Sequence, residues 1–183
     1  MELGLNGKGV IVTGGSRGIG FSTAEAFARE GANVSICARS EGPLETARKS
    51  LASHGGTVHA AACDVSDPAA LADYFAAAHQ ALGALHVLVN NPSGFGRTDD
   101  EDGWQVSIDV DLMAPVRGSW HAVPLIEAAG GGAIVNIASC WGVHPGPNHP
   151  IYCMSKAAVA SMTQCLGHDH AHQGVRINAV CPN

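Results

Sequence analysis

Short apolar runs, each closed by glycine, proline or a polar turn, alternate along this chain with longer stretches whose apolar positions recur every three to four residues. The short runs predict strands over 10–13, 33–38, 57–62, 85–90, 133–138 and 175–181. Several are apolar throughout rather than alternating, as a strand covered on both faces requires. The helical stretches fall over 18–30, 41–53, 68–81, 103–128 and 152–172. Asp67 before Pro68 is a strong start for the third helix: an acceptor side chain at the cap, then a proline whose missing N–H costs nothing in the first turn. Gly31 and Gly174 stand where the first and last helices should end. Six strands alternating with five helices predict right-handed βαβ units and an α/β fold, a doubly wound parallel sheet of the Rossmann type. No repeat or linker interrupts the pattern, so residues 1–183 read as a single domain.

Composition narrows the partners. The 183 residues are 46% hydrophobic with a formal charge of −6, enough apolar content for a real core and too little charge for a disordered chain. An acidic balance argues against a nucleic-acid partner, which wants a basic face. No apolar run reaches the roughly 18–20 residues of a membrane span, and no apolar segment at the N-terminus reads as a signal peptide. Six cysteines without a CxxC pair read as reduced thiols, which points to the cytoplasm. His168 and His172, four apart, could share a metal. Their place in the last turn of a helix, where imidazolium suits the dipole, is the stronger reading, so no metal is expected.

The chemistry begins after the first strand, at Thr13-Gly14-Gly15-Ser16-Arg17-Gly18-Ile19-Gly20. Glycines at 14, 18 and 20 allow a tight turn, a close approach of backbone to a pyrophosphate, and contact of helix with strand. At the end of the second strand, where NAD sites place an acid for the ribose 2′-hydroxyl, the chain has Cys37-Ala38-Arg39-Ser40. A guanidinium there grips a 2′-phosphate, and Arg17 can add a second cation, so NADP(H) is expected over NAD(H). Alternatively, Arg39 is only a solvated loop residue. Further on, Tyr152 and Lys156 share one helix face, about 6 Å apart along its axis. A free tyrosine ionises near pH 10; a neighbouring ammonium should bring that down, so that the phenol serves as general acid in one direction and base in the other. Ser139, at the end of the fifth strand, could donate to a substrate oxygen.

Taken together, these motifs resemble the short-chain dehydrogenase/reductase family. The matching pieces are the loop at 13–20, Cys63-Asp64-Val65, Asn90-Asn91, Asn136-Ile137-Ala138-Ser139, Tyr152-Cys153-Met154-Ser155-Lys156, and Val175 through Pro182. The resemblance covers nearly the whole chain in the right order. It implies that Ser139 orients a carbonyl, that Tyr152 gives the proton, and that Lys156 also holds the nicotinamide ribose. It implies a cofactor site of Gly14, Ser16, Arg17, Gly18, Ile19, Gly20, Arg39, Asp64, Val65, Asn91, Tyr152, Lys156 and Pro182, with Asp64 on the adenine. It also implies a small-molecule carbonyl or alcohol substrate, and a homodimer or homotetramer packed through the helices near 103–128 and 152–172. The loop from Cys140 to Ile151, with Trp141, Val143, His144 and His149, and Phe95 after the fourth strand, are candidate substrate contacts, suiting a largely apolar compound.

Two departures stand against the family pattern. Seven residues after Trp104, where the family has a catalytic asparagine, this chain has Asp111, whose charge could disturb Lys156 and the proton relay. Asn90-Asn91-Pro92-Ser93 replaces the common Asn-Asn-Ala-Gly and reads as a tolerated variant. The family also continues past Pro182 with a loop over the nicotinamide, a helical lid and a seventh strand. The expectation is therefore a truncated chain with six strands, lacking the seventh strand and the substrate lid, its sixth strand left as an apolar sheet edge. The intact Ser139, Tyr152 and Lys156 favour an enzyme. Asp111 and the short chain keep open a cofactor-binding protein that acts through assembly without turnover.

Overall fold

In the computed structural model, which describes residues 3–96 and 98–183, the six strands are β1 (Gly9–Thr13), β2 (Asn33–Ala38), β3 (Val58–Ala62), β4 (Val87–Asn90), β5 (Gly132–Ile137) and β6 (Val175–Val180). All pair in parallel in one sheet of order β3-β2-β1-β4-β5-β6. The expected strands at 57–62, 85–90, 133–138 and 175–181 are present, each trimmed or shifted at its ends. The chain leaves β1 in one direction for β2 and β3, then returns past β1 to build β4, β5 and β6. Thr13 and Asn90 are register partners at that reversal, so a crevice opens above them, where sheets of this type bind ligands.

The helices are α1 (Gly18–Arg29), α2 (Glu41–Ala52), α3 (Pro68–Leu82), α4 (Glu101–Val106), α5 (Ala114–Ala128) and α6 (Pro150–His170). One face of the sheet packs Val10, Val12, Val34 and Ile36 on Ala24 and Ala28 of α1 and Leu44, Ala47 and Leu51 of α2. The other packs Ile11, Leu88, Ile134 and Ile177 on Leu71 and Phe75 of α3 and Ala122 and Ile126 of α5. Each large apolar side chain so buried stabilises the fold by roughly 1.5–3 kcal/mol. The one polar intrusion in β2, Ser35, is bonded to the Tyr74 hydroxyl at 2.8 Å and His59 Nδ1 at 2.9 Å, so its burial leaves nothing unpaired. Asp67 caps α3 as expected, accepting from the N–H groups of Ala69 and Ala70 at 2.8 and 3.3 Å.

Two expectations change. The strand β6 is not apolar on both faces: Val175 and Ile177 are buried, while Arg176 and Asn178 point to solvent at the sheet edge. And the helix expected over 103–128 is broken by a π-helical stretch, Ser107–Met113, between α4 and α5. Pro115 has no N–H to offer the carbonyl of Asp111 four residues back, so the α-helical ladder fails there. One extra residue per turn also rotates the side chains, and Asp111 emerges fully buried. Among the described residues, no helix is long and apolar enough to cross a membrane.

Candidate active site

The glycine loop is shaped by left-handed backbone at two positions and by close contacts at others. Gly14 and Gly18 have φ of +67° and +57°, a region glycine enters freely. A Cβ on Gly20 would run into the carbonyl oxygen of Gly14 and the side-chain amide of Asn91. Asn91 stitches the turn from the far side of the crevice: its Nδ2 donates to the carbonyls of Thr13 (3.3 Å) and Gly14 (3.0 Å). At Gly18, by contrast, the space a Cβ would take is open. The loop therefore presents bare backbone at the start of α1, which fits a pyrophosphate. Gly20→Ala is expected to weaken binding of a reduced nicotinamide dinucleotide by about tenfold or more, through displacement of this turn, as titration of the dinucleotide's fluorescence will report.

The crevice is a cleft of about 490 Å³, and Gly14, Ser16, Arg17, Gly18, Arg39, Asp64, Val65 and Asn91 line it. Eight of the expected cofactor residues are thus brought together. Of the others, Ile19 is half exposed beside the loop and Gly20 backs it. Pro182 is not among the cleft-lining residues; it follows β6 and its carbonyl accepts from the N–H of Cys140 at 3.1 Å. Asp64 accepts from the N–H and hydroxyl of Ser66 at 3.0 and 2.7 Å. Those bonds, with the Arg39 guanidinium as a smaller cause, hold its carboxyl below the usual range. Arg39 faces the cleft in the company of one acid.

Ser139, Tyr152, Lys156 and Asp111 converge at the end of β5. The approach of α6 to the sheet is set by a buried polar ladder: Asn90 Nδ2 donates to Asn136 Oδ1 at 2.8 Å, and Asn136 Nδ2 donates to Thr163 Oγ1 at 3.0 Å. Lys156 continues it, giving a proton of Nζ to the carbonyl of Ile137 at 3.0 Å. Ser139 ends the strand as the cap of a short turn, its Oγ accepting from the N–H of Trp141 at 3.2 Å. Lys156 Nζ stands 5.7 Å from the centre of the Tyr152 ring.

Asp111 alters the electrostatics from the expected picture. Its Oδ1 lies 3.4 Å from Lys156 Nζ, and both side chains are almost wholly buried. Burial lowers the proton affinity of Lys156, and Asp111 opposes that shift. Tyr152 is not drawn down by the ammonium. Burial raises it above its ordinary value, a bond from Ser139 works downward, and Asp111 adds to the rise. The carboxylate offsets the charge that would otherwise favour the phenolate.

The side chains around the phenol are aromatic. Phe95 sits edge-on to Tyr152 with ring centres 4.6 Å apart, and Trp141 lies 6.1 Å from Tyr152 and stacks on His149 at 5.4 Å. The Nδ1 of His149 is buried without a hydrogen-bond partner among the described residues. Val143 is exposed, and His144 lies on the surface of the same loop. Asn136 is visible in the sequence only as part of the motif that ends at Ser139, and nothing local marks Thr163 as its partner, 27 residues on. The hydrogen bond from Ser93 to Asp111, at 2.6 Å, was equally out of reach, because the two lie 18 residues apart.

The comparisons with known proteins agree with this geometry. A family model described as short chain dehydrogenase matches residues 8–183. The chain is 33% identical over 183 residues to a 2,5-dichloro-2,5-cyclohexadiene-1,4-diol dehydrogenase of Sphingobium indicum, covering 97% of this chain and 73% of that protein. It is 35% identical over 186 residues to a cyclohexanol dehydrogenase of an Acinetobacter strain, with 97% and 73% covered. Its fold superposes on the L-sorbose reductase of Gluconobacter frateurii, solved with NADPH and L-sorbose, at a TM-score of 0.95 and 34% identity, over 100% of this chain and 72% of that one.

Proposed function

The chain belongs to the short-chain dehydrogenase/reductase family of NAD(P)-dependent oxidoreductases, and from that footing we propose that it moves a hydride between NADP(H) and a largely apolar carbonyl or alcohol, with Tyr152 as the proton-transfer group. The observation that carries this reading is the meeting of Ser139, Tyr152 and Lys156 at the end of β5, next to the glycine-lined cleft. When bound, a nicotinamide supplies or accepts the hydride. Gly14, Ser16, Gly18, Ile19, Gly20, Asp64, Val65, Asn91 and Pro182 would hold the dinucleotide, with Arg17 and Arg39 at its 2′-phosphate.

The chain's own residues handle the proton. The Ser139 hydroxyl accepts from backbone through its oxygen and keeps its hydrogen to donate, to the phenol or to a substrate oxygen. Tyr152 gives its proton to that oxygen in reduction and takes it back in oxidation. Lys156 spends one donor on Ile137 and leaves others for a ribose and for the charge beside the phenol. Phe95, Trp141 and His149 keep water from the phenol and favour a flat, apolar ligand. A panel of cyclic and linear ketones with NADPH tests the reading: oxidation of NADPH by at least one class is expected. Cofactor binding with no turnover on any of them would leave instead a binding protein that acts through assembly.

The cofactor preference rests on Arg39. Arg39→Asp is expected to weaken NADPH binding by about 100-fold, about 2.7 kcal/mol, with NADH less affected, because a bidentate charge-assisted contact becomes a repulsion. Unchanged NADPH affinity would end the assignment. The reading extends to a cytoplasmic homodimer or homotetramer built on α5 and α6, the helices that expose Trp120 (63%) and Met154 (42%).

A further inference from the structure

Both departures from the family pattern turn out to be one feature. Three donors converge on the Asp111 carboxylate. The Ser93 hydroxyl donates to Oδ1 at 2.6 Å, the Lys156 ammonium lies 3.4 Å from the same oxygen, and the N–H of Phe95 donates to Oδ2 at 3.2 Å. A carboxylate has lone pairs for all three. The amide of an asparagine does not: with its oxygen toward Lys156, its NH₂ meets the N–H of Phe95, and with the amide turned, its NH₂ meets the ammonium. Ser93 supplies one of these donors where glycine would supply none. The segment so anchored carries Phe95 in a left-handed conformation, φ +44°, which a phenylalanine adopts only where its surroundings hold it. The same Phe95 ring lies 4.6 Å from Tyr152.

We propose that Asp111, with Ser93, is a positioning pair that bolts the Phe95 segment to Lys156, and so sets both the wall over Tyr152 and the charge the phenol experiences. This rests on Tyr152 being the proton-transfer group only for its catalytic meaning; the bolt itself is a matter of hydrogen bonds and charge. The groups facing the phenol are Lys156 and Cys153 from its own helix, His149 at the start of that helix, Ser139 and Cys140 from the end of β5, and Asp111 from the π-helical stretch. Asp111 is the only carboxylate in that set. Its removal takes away a negative charge and leaves the ammonium unopposed, and both changes favour the phenolate.

The test needs no substrate. The chain has two tyrosines, and Tyr74 is deeply buried with its ionisation pushed well above the usual value. Absorbance of tyrosinate, taken as the difference from Tyr152→Phe and followed below the pH of unfolding, therefore reports Tyr152. Asp111→Asn is expected to lower its midpoint by about one pH unit, and Ser93→Ala, which keeps the charge, to leave it within about 0.3 unit. A midpoint in Asp111→Asn within about 0.3 unit of the wild type overturns the proposal. A second measurement serves if Asp111→Asn does not fold. The chain has four phenylalanines, so ¹⁵N-phenylalanine labelling isolates the Phe95 amide, whose exchange with solvent should quicken about threefold or more in Ser93→Ala as the bolt loosens. Unchanged exchange overturns the proposal equally. Neither readout depends on turnover, so an inactive enzyme would count against the assigned reaction and not against the bolt.

Discussion

Tyr152→Phe is expected to lower kcat by about a thousandfold while NADPH binds as before. The substitution removes one oxygen and keeps the ring that packs edge-on against Phe95, so the aromatic wall and the helix carrying it should stand unchanged. What disappears is the group we propose as the proton donor. With the phenol held above its ordinary ionisation by burial and by Asp111, it is fully protonated at neutral pH and suited to act as an acid in reduction. The reverse reaction needs the phenolate. Its rate should climb with pH toward the phenol's raised pKa, while the rate of reduction holds steady and falls only above it. Stopped-flow binding of NADPH beside steady-state turnover separates the two effects. A variant that keeps more than about a tenth of wild-type turnover would remove Tyr152 from the mechanism.

The second large effect concerns stability. Lys156→Met is expected to cost about 3–5 kcal/mol, because the Asp111 carboxylate is left buried without its cation. For a chain of this length that is a fall in Tm of about 10 °C. Methionine fills much of the space of the lysine stem, so a cavity is not the main cause. The check is a double-mutant cycle by denaturant unfolding: adding Asp111→Asn to Lys156→Met should recover about half of the loss or more, since the stranded charge is gone. If Lys156→Met alone unfolds within about 1 kcal/mol of the wild type, the pair is not an electrostatic couple of this strength.

Legibility in the sequence followed the range over which each feature is encoded. The glycine loop could be read because its turn, its open backbone and its helix start are made by eight consecutive residues. Tyr152 and Lys156 could be read because a helix brings positions four apart onto one face. Asp67 before Pro68 announced α3, and the cap is made as expected. The alternation of strands and helices was enough for a parallel sheet covered on both faces; the reversal beside β1 and β4 came from the structure.

Ser93 and Asp111 were visible only as two oddities, one read as tolerated and the other as a handicap. Nothing local says that they meet, since their contact depends on the π-helical stretch turning Asp111 inward by a fraction of a turn. Hydrophobic periodicity does not resolve one extra residue in the long helical pattern over 103–128, roughly 3.6 residues per turn against a longer turn at one place. The proton affinity of Tyr152 escaped for the same reason: the ammonium was evident from spacing, and the carboxylate that offsets it was not.

What the sequence determined by itself is the six strands, the helices outside the interrupted stretch at 103–128, their order, and the local geometry of the phosphate loop and the Tyr152–Lys156 face, because each is settled by neighbours a few residues apart. Only the tertiary structure decided the company those groups keep. The Asn90–Asn136–Thr163 ladder, the convergence of Ser93, Phe95 and Lys156 on Asp111, and the aromatic wall over the phenol all join residues distant in the chain. Burial and charge act through space, and space is arranged by packing.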